Sequence, residues 1–206
     1  MNQAINMTSV AWPQEKERIN RRFLEPTALA AIVTYCGGTS LGTWLEYDVS
    51  QELFWELMWR NWLPAPLIIV AWLMVRYAKA NSLILGYTIF FSLTVSGALV
   101  VGYASMYNDS WLFLTETQIA IYITFALLTV WHWKHAAICF VGSVLLCGSI
   151  FVFHSPTLWV AWVQKWLIIT PVGVGMVIII WMRYRGIYEN FHITQALKAS
   201  TADLAA

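Results

Sequence analysis

An all-α membrane protein, a six-transmembrane-helix bundle with a cytoplasmic amphipathic exit helix, is the fold this sequence predicts, and three observations carry the prediction. Hydrophobic residues make up 59% of the chain and charged ones only 11%, with 13 Trp and a mean hydropathy of +0.61, a composition foreign to water-soluble domains. The apolar residues gather in six runs, each near the ~20 residues a helix needs to cross ~30 Å of hydrocarbon. The runs are continuously apolar rather than alternating, which excludes barrel strands and leaves helix as the spanning state.

In chain order, residues 1–25 form a polar and charged cytoplasmic segment without the apolar core of a cleavable signal peptide, so the first span must itself direct insertion. Residues 26–182 hold the six spans, at 26–47, 53–75, 82–107, 111–133, 135–153 and 159–182. Pro64 and Pro66 are expected to kink the second span and Pro171 the sixth, each freeing carbonyls near mid-membrane. The run Gly38-Thr39-Ser40-Leu41-Gly42 has the small-xxx-small spacing that lets a neighbouring helix approach closely, and Gly173 with Gly175 offers the same in span six.

Orientation follows from the basic residues. Lys16, Arg18, Arg21 and Arg22 precede span one, Arg76 and Lys79 follow span two, Lys134 follows span four, and Arg183, Arg185 and Lys198 follow span six. All of these fall on one side, whereas the opposite connections carry Asp48, Glu52, Asn108-Asp109-Ser110 and His154-Ser155-Pro156-Thr157. The positive-inside rule therefore places both termini of this multi-pass chain in the cytoplasm.

The two remaining cations lie within spans, Arg60 one turn after Glu56 and Lys165 beside Gln164. Glu116, in Trp111-Leu112-Phe113-Leu114-Thr115-Glu116-Thr117-Gln118, stands at a similar depth of five to seven residues, ~8–10 Å at the helical rise, and Glu46 marks the same rim of span one. Ionisable groups this far into a membrane are costly unless they face other helices, water or a ligand. They predict a polar layer in the outer half of the bundle, beneath a Trp rim of residues 44, 55, 59, 111, 159 and 162. Two structural readings stand beside a ligand-lining one. Glu56–Arg60 and Glu116–Lys165 can be ion pairs, or the long side chains can snorkel to the interface, and an aromatic belt accounts for many of the Trp. In the ligand reading, a hydroxyl or ketone head sits among these groups, its tail lies among Phe113, Leu114, Ile168 and Val172, and Thr94 in span three plays no part.

Other classes are excluded. A net charge of +1 without a basic patch gives no nucleic-acid partner. Cys36, Cys139 and Cys147 all sit in apolar runs, which indicates neither a disulfide framework nor a zinc site. His132 and His135 lie at the cytoplasmic border, His154 in an outer loop without a partner at its level and His192 beyond the last span, so haem is not expected, and His132 with His135 lacks further metal ligands. No cofactor is implied, and no residue here could catalyse a soluble reaction.

Residues 183–206 form a cytoplasmic signalling helix. Ile193, Leu197, Ser200 and Leu204 follow the 4-3-4 spacing of a coiled-coil seam, and no Gly or Pro stop follows Leu204. The helix is expected to continue span six, to pair in a parallel homodimer, and to lead toward an output domain beyond this chain.

Together, the lead-in Leu24-Glu25-Pro26, then Trp44-Leu45-Glu46-Tyr47, Arg60, Asn108-Asp109, Phe153-His154 and the exit helix resemble the membrane sensor of quorum-sensing histidine kinases that detect α-hydroxyketone autoinducers (the CqsS/LqsS type). The resemblance covers about residues 16 to 206. It implies a small amphiphilic signal bound among the helices, a homodimer, and a chain cut just before the kinase core. It also implies ligand contacts where the family has a Trp, a Ser three residues later and a Cys near the end of span six, positions occupied here by Leu114, Thr117 and about Ile180. Only Thr117 keeps the chemistry, which implies a different head group or chain length. The candidate ligand-binding residues are thus Arg60, Trp111, Leu114, Glu116, Thr117, Lys165, Met176 and Ile180. Two other classes fit the six spans: the sensor of a nucleotide cyclase, and a small transporter or channel, although no internal repeat supports transport.

Overall fold

A computed structural model describes the backbone of residues 2–38, 40–41, 44, 51–104, 111–154 and 159–205, and the side chains of 12–38, 40–41, 44, 54–100, 117–153 and 162–201. Every element among the described residues is helical: α1 (Asn2–Ala31), a π-helical segment (Ile32–Gly37), α2 (Gln51–Trp62), α3 (Pro64–Tyr77), α4 (Ser82–Ala104), α5 (Trp111–Leu128), α6 (Trp133–His154) and α7 (Trp159–Ala205). Four stretches are long and apolar enough to cross a membrane: Phe54–Tyr77, Ser82–Val100, Trp133–Phe153 and Trp162–Thr201. Thr117–Leu128 of α5 is a shorter apolar helix.

The bundle is built around α4, whose most apolar stretch is 61% buried against 28–33% for the other three. It packs on α1, α2, α3, α5 and α6, while α7 closes the far side against α5 and α6. Small residues make this central position possible. The ring of the fully buried Trp131 lies where a side chain at Gly86 would go, and the Tyr35 hydroxyl is 3.3 Å from where a Gly97 Cβ would stand. Gly173 admits Phe140 and Tyr122 in the same way. Gly38 of span one behaves differently, since a Cβ there would meet open space, as would one at Gly175 of span six, and Gly42 lies outside the described residues.

Pro64 divides span two. The chain leaves α2 at Trp62, turns at Leu63 and re-enters helix with Pro64 in the first turn of α3, where its missing N–H costs nothing to α3 itself. In α7 the chain runs through Pro171 for 47 residues without a break, about 70 Å, longer than a bilayer is thick.

One end of the bundle is tied by polar contacts that gather the basic residues. Glu17 accepts from the Ser82 amide at 2.8 Å and hydroxyl at 2.7 Å, capping α4 from another helix. Arg21 pairs with Glu17 at 2.9 Å and donates to the carbonyls of Val75 and Ala80, both at 2.8 Å. Asn20, also buried, spends its carboxamide on one peptide: Nδ2 donates to the Val130 carbonyl at 3.3 Å and Oδ1 accepts from the Val130 amide at 2.9 Å. Arg183 donates to the Ala126 and Leu127 carbonyls, placing a cation on the C-terminal end of α5. At this end Trp12 of α1 packs on Tyr184, Tyr188 and Phe191 of α7.

Candidate functional site

The other end gathers buried polar groups, and its geometry starts from the proline break. A proline at position 64 has no N–H to give the carbonyl four residues earlier, which is that of Arg60. Ser96 of α4 fills the gap, its hydroxyl donating to the Arg60 carbonyl at 2.7 Å. The hydroxyl of Tyr35 reaches the same place from the π-helical segment, 3.3 Å from Ser96 Oγ and 3.4 Å from the Leu93 carbonyl. Thr117 of α5 closes the layer, its methyl 3.7 Å from where a Gly97 Cβ would stand. π-helical turns recur at functional sites because the extra residue re-aims side chains, and here one carries both Tyr35 and the buried Cys36.

Asn61 stands beside this cluster. It belongs to an inward stripe of Leu57, Asn61, Ala65, Ile68, Ala71 and Val75, all buried at helical spacing and apolar but for the one carboxamide. Asn61 is fully buried, and neither its Nδ2 nor its Oδ1 has a hydrogen-bond partner. Each such group left unpaired in an apolar interior costs roughly 1–3 kcal/mol. Other buried unpaired side-chain atoms among the described residues are single ring nitrogens, of Trp131, Trp162, Trp166 and His192.

One turn deeper, a polar string crosses the bundle. Gln118 Nε2 donates to Thr94 Oγ1 at 3.4 Å with both residues buried, and Tyr122 meets Ser143 oxygen to oxygen at 2.6 Å. Thr94, expected to be a bystander, is therefore the acceptor for a buried amide.

The structure places the sequence-derived candidates at different depths. Arg60 is largely covered and its guanidinium is held by Glu56 at 2.6 Å, as the i,i+4 spacing predicts, while lying 4.4 Å from the Trp59 ring centroid. Thr117 and Lys165 are half-buried, and Lys165 forms no ion pair among the described residues. Met176 and Ile180 are buried in the core nearer the Arg183 end. The backbone of Trp111, Leu114 and Glu116 is helical, but their side chains, like Phe113, lie outside the described residues, so the Glu116–Lys165 pair does too. Glu46 and Asn108-Asp109 also lie outside them. Ile168, expected to line a tail channel, is instead 57% exposed on the outer face of α7. Trp44, Trp55 and Trp59 are exposed like an interfacial belt, whereas Trp162 turns inward over Gly148.

Asn61, Tyr35, Ser96 and Gln118 are site residues that the sequence pattern does not single out. The signal for them was present: polar side chains inside apolar runs, Ser92–Ser96 and Gln118–Tyr122 at i,i+4. Among the described residues no three His, Cys, Asp or Glu side chains converge as metal ligands. No protein-family model matches the chain, and neither a curated protein nor a solved structure proves similar to it.

Proposed function

We propose that this chain is the six-span sensor of a bacterial inner-membrane receptor with both termini cytoplasmic. In this reading α1 with its π-helical segment and α5 supply spans one and four beside the four long apolar helices, and the end tied by Glu17, Arg21 and Arg183 faces the cytoplasm because it gathers the basic residues. A small amphiphilic molecule enters the polar layer at the opposite end, and the response leaves through α7 to an output domain. The resemblance to α-hydroxyketone-sensing histidine kinases names the signal class and the kinase output.

The observation that supports the reading is α7 itself. One unbroken helix joins the turn bearing Lys165, through the core positions Met176 and Ile180, to the exit segment at Ile193 and Leu197. A shift of its outer half thereby has one continuous element, running through Pro171, along which to reach the exit segment, which a receptor requires and a pore does not. On the exit segment, Trp12 occupies one face while Ile193 and Leu197 stay exposed, so a second copy is the natural partner for the seam.

The test is a fusion of residues 1–206 to the core of a histidine kinase in continuous helical phase, assayed for autophosphorylation in membranes. A medium-chain α-hydroxyketone is expected to change kinase activity saturably. A flat response to a panel of such ketones, in fusions whose kinase core is active, sinks the receptor reading. Orientation has its own check: in intact cells a Cys at Asp109 is expected to be labelled by an impermeant reagent and a Cys at Lys79 to be spared.

A further inference from the structure

The buried side chain that the fold itself leaves unexplained is Asn61. We propose that its carboxamide is the head-group contact of the bundle, and that it takes a neutral group able both to donate and to accept a hydrogen bond, such as a hydroxyl. The proposal rests on the receptor reading and deepens it by naming the residue that reads the signal's polar end.

Four observations carry it. Asn61 is fully buried with both amide atoms unpartnered, while Asn20, equally buried, spends both on the Val130 peptide. This fold therefore satisfies a buried Asn where the Asn is structural. Second, the stripe around Asn61 is apolar at every other turn, so packing alone would favour Leu there. Third, the adjoining polar groups are committed elsewhere: Ser96 donates to the Arg60 carbonyl, Tyr35 lies on Ser96, and Glu56 holds the Arg60 guanidinium. None of them turns to Asn61. Fourth, Asn61 lies two residues before the break at Leu63, where α2 gives way to α3 and the regular ladder is interrupted.

The chemistry of the side chain sets the ligand class. A carboxamide offers one acceptor oxygen and two N–H donors. A carboxylate would satisfy only the donors and an ammonium only the oxygen, each leaving the other half buried and unpaired. The nearest cation, Arg60, already has its counter-charge in Glu56, so the site holds no spare charge to neutralise an ion. A hydroxyl answers both halves at once. An apolar tail adds little selectivity, because it is as dry in lipid as in the bundle.

The experiment uses the whole chain in lipid nanodiscs, with three probes of one chain length: an α-hydroxyketone, the ketone without its hydroxyl, and the fatty acid. Binding is read by tryptophan fluorescence, and thermal stability is measured without probe. Wild type is expected to prefer the hydroxyketone to both others by at least about tenfold. Asn61→Leu is expected to abolish that preference while melting no lower than wild type, since it removes two unpaired groups at nearly constant shape. Leu57→Met, one turn away, is expected to retain the preference. Equal binding of the three probes by wild type, or binding of none, overturns the ligand class without recourse to any variant. An unchanged preference in Asn61→Leu, or a marked fall in its melting temperature, overturns the role of Asn61, the latter because it shows the amide satisfied structurally, as by a buried water. The two readings separate cleanly. Asn61-dependent binding with a silent kinase fusion sinks the receptor and spares the site, whereas a responsive fusion indifferent to Asn61→Leu does the reverse.

Discussion

Ser96 donates its hydroxyl to the carbonyl of Arg60 at 2.7 Å, and Pro64, four residues on from Arg60, is the reason that carbonyl is open to it. A proline in a membrane helix is tolerated when a neighbour re-satisfies the group it strands, so two residues 32 apart in sequence form one structural unit. The pairing fixes the depth at which α2 and α4 meet, and with it the position of Asn61.

That unit predicts a coupled pair of substitutions. Ser96→Ala is expected to cost about 0.5–1.5 kcal/mol. In a Pro64→Ala background the restored N–H takes the Arg60 carbonyl, and the cost of Ser96→Ala should fall toward zero. Denaturant unfolding of the four proteins in mixed micelles gives the coupling energy. Equal costs in both backgrounds would show that Ser96 acts through Tyr35 instead.

At the opposite end, Glu17 predicts an acid limb. Burial pushes its carboxyl up, but the Ser82 hydroxyl and amide and the Arg21 guanidinium outweigh burial, and the net shift is below the ordinary glutamate value of 4.5. A carboxyl depressed on folding contributes stability that is fully present above its unfolded value and is lost as pH falls through its folded value. Stability is therefore expected to be flat at neutral pH and to decline below the ordinary glutamate range. Glu17→Gln should flatten that decline and cost about 1–3 kcal/mol at neutral pH, because Arg21 and the start of α4 lose a charged partner. A pH series of unfolding curves for both proteins checks the sign, and an identical acid limb in the variant refutes it.

The helical class, the proline break and the Glu56–Arg60 pair were legible because each depends on composition or on spacing within one helix. Asn61 was not, since its burial is decided by which face of α2 meets α4, a long-range fact that neighbouring residues do not encode. The hydrogen bond of Thr94 is hidden for the same reason, since it depends on Gln118 arriving from another helix. Glycine shows the limit as well. Gly38 and Gly173 each open a glycine pair that the sequence reads as a close-packing site, yet only Gly173 is covered by a neighbouring ring.

Gly86 tests the packing at the centre. Trp131 is fully buried against it, with no room for a methyl group, whereas a Cβ at Gly175 meets nothing within 4 Å. Gly86→Ala is expected to destabilise by about 1–3 kcal/mol through overpacking. Gly175→Ala should be neutral or stabilising by up to about 1 kcal/mol from helix propensity. Melting temperatures in one detergent rank the two, and a tolerated Gly86→Ala would mean that Trp131 packs elsewhere.

The mid-bundle string gives a second cycle. Thr94→Val removes one partner of Gln118, which also hydrogen-bonds Tyr122, and Gln118→Leu leaves the Thr94 hydroxyl without its donor. Each is expected to cost about 1 kcal/mol, and the double variant less than the sum, because replacing both partners removes the desolvated remainder. Strict additivity in unfolding free energy would show that the 3.4 Å contact contributes nothing.

The exit segment yields the most direct prediction about assembly. At 3.6 residues per turn, Ile193 lies about 180° around α7 from Tyr184, and Leu197 about 140°. Tyr184, Tyr188 and Phe191 are the residues that Trp12 covers, so α1 occupies one side of the helix and leaves the other bare. Ile193 and Leu197 are 58% and 61% exposed there, at the spacing of a seam. In the proposed receptor, a parallel copy would cover this apolar stripe, although so short a coiled coil is marginal without help from the spans. Cysteine at Leu197 is therefore expected to cross-link readily between copies under mild oxidation in membranes. Cysteine at Gln195, which faces the 350 Å³ groove between α1 and α7, should not. Leu197→Asp should reduce the cross-link formed by a cysteine at Ile193 several-fold while leaving the helical content and melting of the bundle unchanged. Equal cross-linking from positions 195 and 197 would mean that the copies meet by collision rather than along this face.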